Sequence, residues 1–121
     1  MQISAKKMNK TLEGQISQML VGSLCEINDP KTMESVLNDL LTETERVAMM
    51  KRLGIALYLD KGRSYDNIKN NLMVSSATIA TVAESLGSAG YGLMIKMIKA
   101  EEWAEAWTNK ISKGLRKIIP G

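Results

Sequence analysis

Small and hydroxyl-bearing side chains cluster in one short stretch of the sequence, residues 75–81. A helix that enters the major groove of DNA needs such side chains on its outer N-terminal face, because its backbone must come close to the base edges. Serine and threonine can hydrogen-bond to several bases, and alanine can meet the methyl group of thymine. We therefore predict base contacts from five residues: Ser75, Ser76, Ala77, Ala80 and Thr81.

An ordinary helical hairpin with a small solvent-facing side would show the same periodicity. Spacing alone does not separate the two interpretations. The run Val-Ser-x-x-Thr-Ile, which begins at Val74, is a common opening of recognition helices, and on this ground we favour DNA binding.

Two short helices joined by a tight turn must hold this face in place, and residues 64–86 have the pattern of a helix-turn-helix. The first helix covers residues 64–71 and turns one apolar face inward, formed by Tyr65, Ile68 and Leu72. Residues 72–74 form the turn. The second helix begins with Ser75 or Ser76 as N-cap, ends near residue 86, and faces inward with Ile79, Val82, Ala83 and Leu86.

Three further helices are predicted before this unit. The first covers residues 11–27, with Thr11 as a candidate cap, and the second begins at Asp29 and Pro30. Thr42 and Glu45 form a capping box for the third, which runs to about residue 61 and is closed by Gly62.

The third helix is apolar around nearly its whole circumference over residues 47–59. A helix of this kind must be buried on all sides. A chain of 121 residues has little material to surround it, so we predict that a second copy covers part of it and that Gly54 allows close helix approach.

Several motifs together resemble the Trp repressor family of bacterial proteins. They are Leu41-Thr42-x-x-Glu45-Arg46, Lys51-Arg52-Leu53-x-Ile55, Gly62, and residues 75–86 with Ala77-Thr78-Ile79 inside them. The resemblance covers residues 11–98. It implies an all-α, intertwined homodimer that binds operator DNA through a helix-turn-helix. The expected organisation is a flexible arm at residues 1–10, the helical domain at residues 11–98, and a C-terminal helical extension at residues 99–121.

The resemblance also implies roles for charged residues. Lys69 lies where the Trp repressor has a lysine, and we assign it to DNA phosphates with its neighbours Lys61, Arg63 and Asn70; a solvated surface role is the alternative for each. Two departures from helix-turn-helix units in general are Lys69 in place of alanine and Met73 in place of glycine. A non-glycine residue in a left-handed turn costs on the order of 1 kcal/mol.

In the family, two arginines hold the indole of the tryptophan corepressor. Arg52 matches the first arginine, but Thr81 stands at the second position and Val82 replaces an adjacent glycine. The resemblance therefore implies a homologue that does not respond to tryptophan. We therefore expect Arg52 to form an ion pair, to contact a phosphate or to bind another effector.

The chain after residue 86 combines a glycine-rich link at residues 87–92 with a last helical region. Its two tryptophans, Trp103 and Trp107, are assigned to core or dimer packing rather than to a partner groove. A basic end is formed by Lys110, Lys113, Arg116 and Lys117, which would reach phosphates or complement the helix C-terminus.

Composition excludes several classes of function. The chain has no histidine and one cysteine, so an intrachain disulfide is impossible, and neither a metal site nor an enzyme is expected. No membrane span or secretory signal is indicated, which predicts a cytoplasmic protein.

Residues 1–40 hold four basic and five acidic side chains, whereas residues 41–121 hold twelve basic and eight acidic ones. The positive charge thus lies in the part predicted to meet DNA.

The predicted function is sequence-specific binding of double-stranded DNA by a transcriptional regulator. We expect a repressor that acts as a homodimer on a palindromic operator, without a certain cofactor. The alternative is a helical protein-interaction or scaffold module that uses the C-terminal tryptophan-bearing helix.

Overall fold

The computed structural model describes residues 6–118, with side chains described as far as residue 114. This part of the chain contains six helices and no strand, which confirms the all-α class. The helices are α1 (Lys10–Glu26), α2 (Pro30–Leu40), α3 (Glu43–Asp60), α4 (Tyr65–Leu72), α5 (Ser76–Ser85) and α6 (Ala89–Ile118). The chain divides into two compact units, one ending at Met49 and the other beginning at Met50. None of the helices described is long and apolar enough to cross a bilayer.

Helix α1, in the first unit, begins one residue earlier than the sequence predicted. Asn9, not Thr11, is the N-cap of α1, because its side-chain oxygen accepts from the backbone N–H of Thr11 at 2.9 Å and of Leu12 at 3.2 Å. The last residue of the predicted arm, Lys10, is therefore helical, while residues 1–5 of that arm lie outside the described residues. Cys25, near the end of α1, is exposed.

The predicted caps of α2 and α3 are confirmed. Asp29 accepts from the backbone N–H of Thr32 at 3.0 Å and from its hydroxyl at 2.8 Å. Thr42 and Glu45 bond reciprocally, at 2.8 and 3.2 Å. These bonds favour the ionised carboxylates, so the pKa of Asp29 and that of Glu45 lie below their ordinary values. The stability that each cap contributes is fully present when the pH is above the ordinary pKa of the carboxyl group. It is lost as the pH falls through the lowered pKa.

The second unit is built around a small aliphatic core. Its buried residues come from α3, α4, α5 and α6, and they are Ile55, Ala56, Ile68, Ile79, Val82 and Ile95. Ile55, Ile68 and Ile79 are wholly inaccessible to solvent. The periodicity of α4 and α5 predicted Ile68, Ile79 and Val82 as inward-facing, and the structure confirms this. Tyr65, predicted on the same face as Ile68, is instead 42% exposed.

Close approach of α3 and α4 depends on a glycine. A Cβ atom added at Gly54 would lie 3.1 Å from Cδ1 of Leu72. The close neighbour that Gly54 admits is thus α4 of the same chain. Gly62, which closes α3, has φ +76°, a conformation that favours glycine.

The predicted glycine-rich link at residues 87–92 is wrong for its last four residues, because α6 already begins at Ala89. Because α6 begins early, Tyr91 and Ile95 pack against the core. This packing offsets the low helix propensity of Gly90 and Gly92, which costs about 1 kcal/mol for each glycine. The helix then continues without a break through residue 98 into the predicted extension. The side chains of Leu115, Arg116, Lys117 and Ile118 lie outside the described residues.

Candidate nucleic-acid interface

The segment that the sequence predicts as a helix-turn-helix contains α4, a short turn and α5. Ser64 caps α4 by accepting from the backbone N–H of Asn67 at 3.1 Å, and Ser75 caps α5 by accepting from that of Thr78 at 3.2 Å. Met73 lies between them in the left-handed conformation, with φ 54°. Within the described residues it is the only non-glycine residue with positive φ. The turn therefore has the geometry that the sequence predicted, at the site of the predicted strain.

Lys51, to which the sequence analysis assigns no role, stabilises this turn. The Lys51 ammonium, on α3, donates to the backbone carbonyl of Met73 at 2.9 Å. The bond occupies a carbonyl at the C-terminal end of α4, where a cation is also favourable to the helix dipole. The partners are 22 positions apart in sequence, so no local pattern indicates the contact.

Replacing Lys51 with methionine, which keeps most of the stem, should lower the free energy of unfolding by about 1 kcal/mol, because a hydrogen bond to a strained turn is lost. Urea denaturation followed by circular dichroism measures this loss. Lys96→Met on α6 is the matched control, since Lys96 is exposed and forms no bond in the part of the chain described. Equal stability of the two variants would show that the Lys51 bond does not hold the turn.

The outer face of α5 carries the residues predicted to contact bases. Ser76, Ala77 and Thr81 are exposed, and Ala80 is half-buried. The Thr81 hydroxyl donates to the carbonyl of Ala77 at 3.0 Å, and the hydroxyls of Ser75 and Thr78 lie 2.9 Å apart. Ser76 alone of the three hydroxyl residues among the five forms no side-chain hydrogen bond within the described residues, so it is the most available for a ligand.

The residues predicted to contact phosphates lie on or just before α4. Arg63 and Asn70 are exposed, and Lys69 is half-buried in the last turn of α4. The Lys61 ammonium lies 3.6 Å from Oε1 of Glu102 on α6. Because both side chains of this pair are about half exposed, the pair is weak and leaves Lys61 able to move.

Arg52 borders an open cleft next to the outer face of α5. The cleft is lined by Arg52, Thr78, Thr81, Val82, Ser85 and Tyr91. Arg52 is exposed and forms no ion pair with any described residue, so the ion pair considered for it is not seen in the single chain. Val82 is only 3% exposed, and its side chain fills the wall of the cleft from the core side.

In the described part of the chain, no group of three or more histidine, cysteine, aspartate or glutamate side chains is placed to hold a metal ion. The groups that are present can donate or accept hydrogen bonds and neutralise anions. This arrangement suits binding to a polyanion.

Comparison with known proteins gives one match. A model of the family described as Trp repressor protein matches residues 15–101, which is more than half of the chain. No individual curated protein and no solved structure matches. The matched segment contains all of α2, α3, α4 and α5, and it ends within α6.

Proposed function

This chain belongs to the Trp repressor protein family, and from that premise we propose that it is a transcriptional regulator that reads double-stranded DNA with α5. The observation that carries the proposal is the exposed face of small side chains at the N-terminus of α5, held against a fully buried core. Ser76 and Ala77 occupy the first turn, where a recognition helix meets base edges. Repression by occupying an operator is the mode of action that we propose.

The two groups of residues have separate tasks in this proposal. Base edges are met by Ser76, Ala77, Ala80 and Thr81, whereas Ser75 contributes mainly by capping α5. Phosphates are met by Lys61, Arg63, Lys69 and Asn70, which precede the turn. Phosphate contacts set affinity and its dependence on salt, and base contacts set sequence preference.

We propose that the regulator is a homodimer, as an intertwined member of the family would be. Helix α1 has no buried residue, and five of its apolar side chains are 43–61% exposed: Leu12, Ile16, Met19, Leu20 and Val21. Met49 and Met50 on α3 are also exposed, at 47% and 64%. Apolar surface on this scale supports association with a second copy. Two α5 helices related by a two-fold axis would then address a palindromic site.

Tryptophan is not the effector in this proposal. The wall of the cleft beside Arg52 is formed by Val82 and Thr81, so the second cation that would hold an amino-acid corepressor is missing. Arg52 remains available to a phosphate or to an effector of another class.

Selection of bound duplexes from a random DNA pool tests the function. The proposal predicts enrichment of a motif with two-fold symmetry and half-sites about one helical turn apart. Six cationic phosphate contacts per dimer, from Lys61, Arg63 and Lys69 of each copy, should reduce affinity about a thousandfold or more between roughly 50 and 200 mM salt. Absence of any enriched motif, with binding to a protein partner that is indifferent to salt, would favour the scaffold interpretation.

Sedimentation equilibrium tests the dimer. The Ile16→Lys variant should associate about a hundredfold more weakly than the natural chain, because a charge replaces an apolar side chain in the proposed interface. Ser17→Lys, an exposed neighbour on the same helix with the same change in charge, is the control and should associate normally. Equal weakening of both variants, or none in either, would argue against an interface on α1.

A further inference from the structure

The hydroxyl groups at the N-terminal end of α5 are largely used inside the chain. The Ser75 hydroxyl accepts from the backbone N–H of Thr78 at 3.2 Å and lies 2.9 Å from the Thr78 hydroxyl. The Thr81 hydroxyl donates to the carbonyl of Ala77 at 3.0 Å. Within the described residues, Ser76 alone of these four hydroxyl residues forms no side-chain hydrogen bond. Helix α5 therefore offers fewer free donors than its sequence contains.

The bond made by Thr81 decides which part of its side chain is free. A threonine hydroxyl has one proton to donate, and in Thr81 that proton goes to the Ala77 carbonyl. The bond also restricts the side-chain rotamer, because the hydroxyl must stay close to the preceding turn of the helix. The γ-methyl group of this exposed side chain is then left without a partner. The hydroxyl has no proton left for the acceptor atoms of guanine, adenine or thymine.

Methyl groups form the rest of this surface. Ala77 and Ala80 are three positions apart and Ala77 and Thr81 are four apart, which makes them neighbours on the helix. Ala77 is exposed and Ala80 is half-buried. We call the side chains of Ala77, Ala80 and Thr81 the methyl face of α5. With Ser76 beside it, this end of the helix presents three methyl groups and one free hydroxyl.

Residue types that recognise purines by paired hydrogen bonds are absent from α5. Arginine and lysine bind guanine in this way, and asparagine and glutamine bind adenine, but residues 76–85 contain none of the four. Glutamate accepts from cytosine. Glu84 lies eight positions after Ser76, more than two turns from the end of the helix that meets base edges. The base feature that the methyl face complements is therefore an apolar one.

We propose that the methyl face of α5 recognises thymine by its C5-methyl group, and that Thr81 takes part through its methyl group and not its hydroxyl. This inference rests on the proposed function, recognition of double-stranded DNA by α5. In the major groove thymine alone carries a methyl group, so apolar contact distinguishes it from the other three bases. Ser76 supplies the one hydroxyl that is free to donate to a neighbouring base.

Other bases are disfavoured at these positions because their edges would lose water. Guanine and adenine present hydrogen-bonding atoms in the major groove, and cytosine presents an amino group. A methyl group placed against such an atom displaces water without replacing its hydrogen bond. Thymine instead places its own methyl group against the methyl face, and the water displaced there comes from apolar surface on both sides. Each buried methyl group should give about a fourfold preference.

Replacing thymine with deoxyuridine tests the proposal, because uracil keeps every hydrogen-bonding atom of thymine and lacks only the methyl group. The probe is the duplex enriched by selection, with deoxyuridine at the thymines of both half-sites. The control duplex carries deoxyuridine only outside the half-sites. Loss of one methyl contact in each half-site should weaken binding by the proposed dimer about 16-fold, while binding to the control should change less than about twofold.

The possible failures are distinguishable. An enriched duplex without thymine in its half-sites, or one that binds equally well with deoxyuridine there, overturns recognition of thymine and leaves DNA binding by α5 intact. Failure to enrich any duplex contradicts the proposed function and this inference with it.

Two substitutions at Thr81 separate its methyl group from its hydroxyl. Thr81→Val keeps the methyl group and should bind the selected duplex within about twofold of the natural chain. Thr81→Ser keeps the hydroxyl, should bind about 16-fold more weakly, and should no longer distinguish thymine from deoxyuridine at one position of each half-site. Thermal unfolding should be nearly the same for both, because Thr81 is exposed. Weak binding by Thr81→Val with normal binding by Thr81→Ser would show that the hydroxyl contacts the base and would overturn the role given to the methyl group.

Discussion

Replacing Ala77 with glutamate should reduce affinity for the selected duplex about 100-fold or more while leaving the melting temperature equal or slightly raised. Ala77 is exposed in the first turn of α5, so the larger side chain disturbs no packing. A carboxylate there would hold the helix away from base edges and repel phosphates. Losing two base contacts worth about 1–3 kcal/mol each is sufficient for this effect. An acidic residue near a helix N-terminus is itself mildly stabilising, so folding and binding respond in opposite directions.

Fluorescence anisotropy with the selected duplex measures this change, and Ala106→Glu is the control. Ala106 is an exposed alanine in the middle of α6, so the substitution makes the same change in net charge and in side-chain type. We expect the control to bind within about threefold of the natural protein, since a single remote charge is largely screened. Similar losses in both variants would mean that general charge, and not the face of α5, determines binding.

Replacing Ile79 with alanine should lower the free energy of unfolding by about 3–4 kcal/mol, within the range for a buried aliphatic truncation. Ile79 is wholly buried and joins α5 to the core formed by Ile55 and Ile68. The substitution leaves a cavity between α5 and the core residues that support it. Because the domain is small, this loss would remove much of its stability, and DNA binding should fail at temperatures at which the natural protein still binds.

Denaturant unfolding with a constant m-value checks this prediction. Leu93→Ala is the matched control, because Leu93 is a helical residue of the same size that is 59% exposed. Its cost should stay below about 1 kcal/mol. A cost at Ile79 no greater than at Leu93 would show that α5 is not anchored by this core.

Local hydrogen-bonding patterns made much of the fold predictable. Asp29, the Thr42–Glu45 pair and Ser75 are capping residues whose partners lie three positions away, so their function can be inferred from short motifs. The inward faces of α4 and α5 followed from helical spacing for the same reason. The sequence does not indicate the start of α6, because the tertiary packing of Tyr91 and Ile95 overrides the low helix propensity of glycine there.

The exposed face of α5 was predictable from the sequence, but the hydrogen bonds that support it were not. Small side chains on an amphipathic helix indicated which face of α5 is free, and Ser76 and Ala77 lie there. The hydrogen bond from the Thr81 hydroxyl to a carbonyl of its own helix could not be inferred from the sequence. Nor could the bond from Lys51 to the turn, because its partners are brought together only by the packing of α3 against α4 and the turn.

Nuclear magnetic resonance mapping of backbone amides during titration with the selected duplex locates the DNA surface directly. We predict that the largest changes in amide chemical shift fall on Ser76, Ala77, Ala80 and Thr81, with smaller ones at Arg63 and Lys69. We also predict that a scrambled duplex leaves the α5 signals nearly unchanged. Shift changes confined to α6, or equal for the two duplexes at every position, would contradict recognition of DNA by α5.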